Sequence, residues 1–327
     1  MFFNHSYKTL IFTTNSLTYE LPSKMNTQKT VLVTGCTEGG AGEALAREFR
    51  RRGHVVFATT TDGSRMRSLR EDDGAQTLAL DVTSRESVRA AAAQVSKLSG
   101  GKLDLLVNNA AVFGMMPLAD VDVDDARRVF DVNLFGALSV VQAFLPLLVA
   151  AGGGEAVVAN VSSISATMCP PWQGVYAASK AALAAMGAVM RVELAPLGVR
   201  VVTVVSGGVD TASVREGGAR PGSVPADSFY GELARSIESN EQARSIQGTA
   251  PATYAAQVAG DLLSASPGPM VWRGAFSWLA WVFTWFGWVG MMDKGQMKRS
   301  GLDQITAGRE ASSGGGQLGS TIPDKDE

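Results

Sequence analysis

The chain has 327 residues, 46% of them apolar, and a formal charge of -2. It can bury a large core in one or two domains, and without a basic excess it offers nucleic acid no electrostatic footprint. Two cysteines, Cys36 and Cys169, cannot staple a secreted domain of this size, and two histidines, His5 and His54, leave a Ser-His-Asp triad or a histidine-rich zinc site almost nothing to be built from. A reducing, intracellular compartment and no metal site are therefore expected.

Residues 1–29 precede the first clear strand and lack the long apolar core and small-residue cleavage site of a secretory signal. Because Met25 opens the cytosolic-looking start MNTQKTVLVTG, they read as a disordered, dispensable extension or a misplaced start, with a weak targeting segment as the alternative. From Thr30 onward short apolar runs alternate with helical patterns: TVLVTG (30–35), HVVFATT (54–60), QTLALDV (76–82), LDLLVNNA (103–110), EAVVANVSS (155–163), GVRVVTVVS (198–206) and PMVWRGA (269–275). Helices are expected at 41–52, 84–99, 122–149, 174–196 and 251–265. Seven near-continuous apolar strands separated by helix-sized segments predict an α/β protein, a Rossmann-type doubly wound parallel sheet covered on both faces, in one domain spanning 30–275.

The stretch 212–250 interrupts the alternation on the carboxyl side of the sheet, where such folds place a substrate lid; an ordinary surface excursion is the bland alternative. After the seventh strand, 276–299 opens with FSWLAWVFTWFGWVGMM, in a run uncharged from Gly274 to Met292 and followed by Lys294, Lys298 and Arg299. About 17 helical residues would reach roughly 26 Å, short of a hydrocarbon core of about 30 Å, and tryptophan prefers the membrane interface. A monotopic or hairpin membrane anchor is expected, with a spanning helix, a helix in the pocket wall or a dimer contact as alternatives. The tail 300–327, Gly, Ser and charge without periodicity, is expected to be disordered.

The chemistry concentrates at strand ends. TGCTEGGAG, Thr34 to Gly42, is a glycine-rich turn between a strand and a helix, suited to a dinucleotide pyrophosphate because glycine lets the backbone approach and the helix N-terminus favours negative charge. Its spacing is not GxGxxG, so alone it is weak evidence. YAASK places Tyr176 and Lys180 one helical turn apart on one face. A nearby cation favours the phenolate and tunes the hydroxyl for proton exchange, as carbonyl reduction requires, while a second hydroxyl holds the oxygen that gains charge. A Y-x-x-x-K pair arises easily by chance; its company gives it weight, namely Ser163 at the end of a strand, Asn133 in DVNLFGAL, NNAA at 108–111 and the glycine turn.

These motifs, in this order, resemble the classical short-chain dehydrogenases/reductases over roughly Thr30 to Gly274. The resemblance implies Tyr176 as general acid or base, Ser163 orienting the carbonyl, Lys180 bonding the nicotinamide ribose and lowering the tyrosine pKa, and Asn133 anchoring a water relay. It places the nucleotide on Gly35, Thr37, Gly40, Ala41 and Gly42, with Asp81 and Val82 flanking the adenine, Asn109 near the adenosine ribose, and Val209 with Thr211 closing over the nicotinamide. Ala111 replaces the family's glycine in NNAG, and Ser206 takes a proline position in SGGVDT, which bears on loop geometry and substrate fit. In the family's TGxxxGxG frame Gly35, Gly40 and Gly42 take the structural places, Gly39 is the surplus residue, and Glu38 belongs on the outer rim.

Cofactor choice turns on the end of the second strand, where NAD-preferring members carry an acid. Thr59, Thr60 and Thr61 stand there, followed by Asp62, with Arg65 and Arg67 able to reach a phosphate, so NADP(H) is expected over NAD(H). The doubled-glycine turn, the VWRG strand and the apolar tail are similar to the fungal NADPH-dependent 1-acyldihydroxyacetone-phosphate reductases. That likeness implies reduction of a ketone on an apolar, lipid-like small molecule at the cytosolic face of a membrane, endoplasmic reticulum or lipid droplet, and family members are often homo-oligomers. The alternatives are a ketoreductase of polyketide or terpenoid metabolism and a non-catalytic NADP(H)-binding membrane protein.

Overall fold

The computed structural model describes residues 28–71, 73–151, 155–215, 223–239, 241–244 and 247–305. The expectations for residues 1–27, for the tail from 306 and for parts of the 212–250 insert lie outside the described residues. Seven parallel strands, β1 (Thr30–Thr34), β2 (Val55–Thr60), β3 (Gln76–Ala79), β4 (Leu105–Asn108), β5 (Ala156–Ser163), β6 (Val199–Ser206) and β7 (Met270–Arg273), form one sheet in the order β3-β2-β1-β4-β5-β6-β7. The winding reverses between β1 and β4, and crevices at such switch points, outside the carboxyl ends of the strands, are where ligands bind in open α/β sheets.

The near-continuous apolar strands carry two cores because alternate residues point to opposite faces. Val31 and Val33 enter one core with Leu45 and Phe49 of α1 (Ala41–Arg51), and Leu32 enters the other with Val88 of α2 (Arg85–Ser99). The helix Val123–Ala150, here α3, and α4 (Gly174–Leu194) complete that second face through Phe144 and Met190, while Tyr254 and Val258 of α5 (Pro251–Leu262) join the first. Length and composition alone would allow α3, and α4 extended to Leu197, to cross a membrane, but one stripe of each packs against the sheet.

Within α3 the ladder widens into a π-helical stretch, Asp131–Gly136, a local irregularity that recurs at functional sites. Asn133 sits inside it. Gly136 follows because a Cβ there would press on Val82, 2.6 Å from its Cγ2.

The segment after β7 does not use its roughly 17 residues as one helix. It forms α6 (Ser277–Phe286), breaks at Gly287, which is extended (φ -81, ψ 160), turns through Gly290 at φ 85, and resumes as α7 (Asp293–Ser300). Ten residues rise about 15 Å, half a hydrocarbon core, so α6 does not span. Residues 300–305 belong to the folded body: Ser300 is buried, and Leu302 packs against a cluster containing Met115, Trp172 and Ile237.

Among its described residues the insert holds a turn at Gly231–Leu233 and short helices at Ala212–Arg215, Ala234–Glu238 and Glu241–Arg244. Val224 and Ile237 from it pack on Trp172 and Met115, so it covers the carboxyl end of the sheet.

Candidate active site

The glycines of the turn are there for a steric reason, because the turn packs directly on the loop after β4. A Cβ on Gly35, which lies at φ 73, would come within 2.7 Å of Ala110 Cα, and one on Gly42 would collide with Gly35 O and the Asn109 amide. Asn109 closes the cradle, donating from Nδ2 to Thr34 O at 2.9 Å and to Gly35 O at 3.2 Å. Gly40 and Ala41 start α1, presenting its N-terminus to the crevice, and Ala41 lines the cavity described below.

Gly39 is more than a surplus residue. It lies at φ 71, its N–H donates to Glu43 Oε2 at 2.6 Å, its carbonyl accepts from Ala212 N at 2.9 Å, and a Cβ would meet the Ala212 methyl at 2.7 Å. The added residue thus ties the nucleotide turn to the start of the insert. Glu38 is exposed, on the outer rim as expected, and its N–H donates to Arg65 O at 3.1 Å, which fixes Arg65 beside the turn. Burial pushes the neighbouring Cys36 thiol up to about 12, which keeps it inert.

At the end of β2 Thr60 is buried, and its hydroxyl lies 3.4 Å from that of Thr37. Asp62, the nearest acid, is turned to another use: its Oδ1 accepts from Ser64 N and Ser64 Oγ at 2.9 and 2.7 Å, and these bonds hold its carboxyl below the usual range. Asp81 likewise accepts from Thr83 N and Oγ1, and Val82 is buried against Gly136 at the carboxyl edge beyond β3. The residues implied for a dinucleotide therefore line one edge of the sheet, and the glycine cradle fits such a group.

A cavity of about 480 Å3 opens at the other end of that edge, lined by Ser163, Tyr176, Lys180, Val209 and Thr211 among others. Ser163 ends β5, and its Oγ accepts from Ser165 N at 3.1 Å. The Tyr176 hydroxyl shares this cavity with Ser163, and the tyrosine ring meets Phe113 edge-on at 5.0 Å. Lys180 is 2% exposed; its Nζ donates to Val161 O at 2.8 Å and lies 5.9 Å from the centre of the Tyr176 ring.

Burial raises the Tyr176 pKa and Ser163 lowers it less, while burial brings Lys180 down to about 8. The Asn133 side chain is committed inside the protein, accepting from Val112 N at 2.8 Å and donating to Val112 O and Ser179 Oγ, both at 3.0 Å. It therefore holds the loop after β4 in place, and both of its amide donors are used.

Sequence reasoning missed three groups. Gln173 and Ser165 are buried in the cavity wall and bonded to each other, Ser165 Oγ donating to Gln173 Oε1 at 2.9 Å. Tyr254 of α5 bonds Ser206, so the serine standing at a proline position supplies a hydroxyl that fixes the strand end. A second cavity of about 590 Å3, lined by Phe113, Met116, Val129, Val132 and Trp172, meets the first at Tyr176. Only Ser206 carried a signal in the sequence.

A switch-point glycine cradle running into a cavity with a tyrosine–lysine pair defines a dinucleotide-dependent oxidoreductase on a Rossmann sheet. The comparisons give its family: the model for short chain dehydrogenases matches residues 29–221, and the chain belongs to the short-chain dehydrogenase/reductase family. It is 40% identical over 259 residues to the short-chain dehydrogenase cctT of Talaromyces islandicus, spanning 79% of this chain and 90% of that one. It is also 40% identical over 208 residues, 63% of this chain and 69% of the relative, to an NADPH-dependent 1-acyldihydroxyacetone phosphate reductase of Schizosaccharomyces pombe. Among solved structures, a short chain dehydrogenase from Burkholderia cenocepacia in complex with NADP superposes with a TM-score of 0.62 at 26% identity, over 84% of this chain and 97% of that one.

Proposed function

We propose that this protein reduces a ketone on an apolar small molecule to a secondary alcohol with NADPH. The observation that carries the reading is the position of Tyr176, at the junction of the cavity that continues from the glycine turn and a second cavity walled by Phe113, Val129, Val132 and Trp172. A substrate with its carbonyl at Tyr176 would extend its apolar body into the second cavity. NADPH is favoured because Thr60 stands where an acid would repel a 2'-phosphate, Asp62 is engaged with Ser64, and Arg65 is fixed beside the turn. The names of the relative from S. pombe and of the NADP complex support the same choice.

Bound NADPH would supply the hydride, and the protein's own groups do the rest. Burial keeps the Tyr176 hydroxyl protonated, so it donates its proton to the carbonyl oxygen as that atom gains charge. Ser163 donates a second hydrogen bond to the same oxygen, its lone pair being occupied by Ser165 N–H. Lys180, directed by Val161 O, holds the cofactor ribose and keeps positive charge near Tyr176.

Two substrate types remain in competition: an acyl-dihydroxyacetone phosphate, as named for the S. pombe relative, and a polyketide or terpenoid ketone. NADPH oxidation by the purified protein, compared across both, decides between them. Turnover of neither, with the cofactor bound, would refute ketone reduction on apolar substrates.

A further inference from the structure

Among the described residues outside the site, exposed large apolar side chains concentrate in the segment after β7. Trp278 and Trp285 are 67% and 68% exposed, and Phe286, Trp288 and Val289 reach 72%, 71% and 102%. Trp278, Trp281 and Trp285 follow i, i+3, i+7 spacing and form one stripe of α6, while Ser277 and Ala280 are buried against the protein. A contiguous patch of this size on a soluble surface marks an interaction site.

The composition of the rim identifies the partner. In α7 Gln296 donates to Met168 O at 3.1 Å and Ser300 is buried, so this pair faces the protein; Lys294 and Lys298, also one turn apart, project from the opposite side. Asp293–Ser300 holds three cations against one acid. Tryptophan and phenylalanine beside lysine suit the headgroup region of an anionic bilayer, in which a ten-residue helix, too short to span, can lie along the interface.

We propose that α6 and the turn through Val289 seat the protein on an anionic lipid surface, with Lys294 and Lys298 meeting the headgroups. The surface adjoins the substrate end of the site: α7 is tied to Met168, whose short helix Ser165–Met168 begins in the cavity wall, and Leu302 packs with Trp172 and Phe113. On the reading that the substrate is an apolar ketone, this places the second cavity beside the bilayer from which such a molecule would partition.

The test is flotation of the full chain with vesicles of phosphatidylcholine alone and of phosphatidylcholine with phosphatidylserine. The intact protein should float with the anionic vesicles, its tryptophan emission shifting to the blue. Replacing Trp285, Trp288 and Val289 by serine should lower binding at least tenfold, and Lys294→Glu with Lys298→Glu about tenfold on anionic vesicles alone. Both variants should oxidise NADPH with a small water-soluble ketone at the wild-type rate, which reports the fold separately; if the triple variant loses that activity, Trp288→Ser alone carries the comparison. Absence of flotation, unchanged flotation of the variants, or a patch that proves to hold a dimer with no affinity for lipid would each overturn the proposal. Because flotation is read without substrate, it stands or falls apart from the assignment of the reaction.

Discussion

Tyr176 and Lys180 are buried together, and burial acts on them in opposite directions. It raises the tyrosine and lowers the lysine to about 8, so near neutral pH the tyrosine is a proton donor and the lysine is still mostly charged. The basic limb of kcat/KM for ketone reduction should therefore report Lys180: the rate falls as pH rises through about 8, where the ammonium is lost. Stability moves the other way. Between about 8 and the ordinary lysine value of 10.5 the unfolded chain holds a proton that the folded chain has released, so stability rises with pH across that window, and denaturant titrations would detect it. Arg65 offers a second test: Arg65→Glu should cut the ratio of NADPH to NADH kcat/KM by about tenfold or more, since one charge-assisted contact at an exposed site is replaced by repulsion. An unchanged ratio would remove Arg65 from phosphate recognition. The tyrosine–lysine pair was legible because one helix carries both residues. The Ser165–Gln173 and Tyr254–Ser206 bonds were not, because each joins side chains from different elements and leaves no spacing to read.

At the scale of elements, α1 is locked to α5 by a cluster around Glu48. Its carboxylate accepts from Arg51 and from Arg52 at 2.7 Å, and Arg52 also donates to Ala256 O at 2.8 Å. The Arg51 bond, opposed by burial and helped by Arg52, brings Glu48 down to about 2 from 4.5. A depressed carboxylate stabilises the fold fully above its unfolded value and loses that contribution as pH falls through the folded one. Glu48→Gln should cost about 1–2 kcal/mol at pH 7, with the difference from wild type shrinking between about 4.5 and 2; equal stabilities at pH 7 would show the cluster to be ornamental. The strands and the main helices were readable because their apolar runs and 3.6-residue periods agree with the layers they join. The break in the C-terminal segment was not, because Gly287 and Gly290 sit inside an uncharged run whose composition marks its apolarity and not its turns. The role of Gly39 was hidden in part because one of its partners, Ala212, comes beside it only after the chain has passed through β6.

For the whole molecule, the parallel sheet brings the glycine turn, the tyrosine–lysine pair and an apolar cavity to one edge, and each comes from a different part of the chain. The glycine turn follows β1, Ser163 ends β5, Tyr176 lies on α4, and Val209 and Thr211 follow β6. The order of these motifs made the fold legible, and with it the grouping of Ser163, Tyr176 and Lys180 around one cavity, whereas the second cavity depends on the packing of Trp172, Phe113 and the π-helical stretch of α3, which no local pattern encodes. The central claim is that Tyr176 gives its proton to a ketone reduced at the junction of the two cavities. It is tested most directly by NADPH oxidation with the ketone found in the substrate screen, wild type against Tyr176→Phe, with NADPH affinity measured alongside. Losing a general acid typically costs about 10²–10⁴ in rate. The account predicts a fall in kcat of that size with cofactor affinity essentially kept, and a Tyr176→Phe protein turning over at the wild-type rate would contradict it.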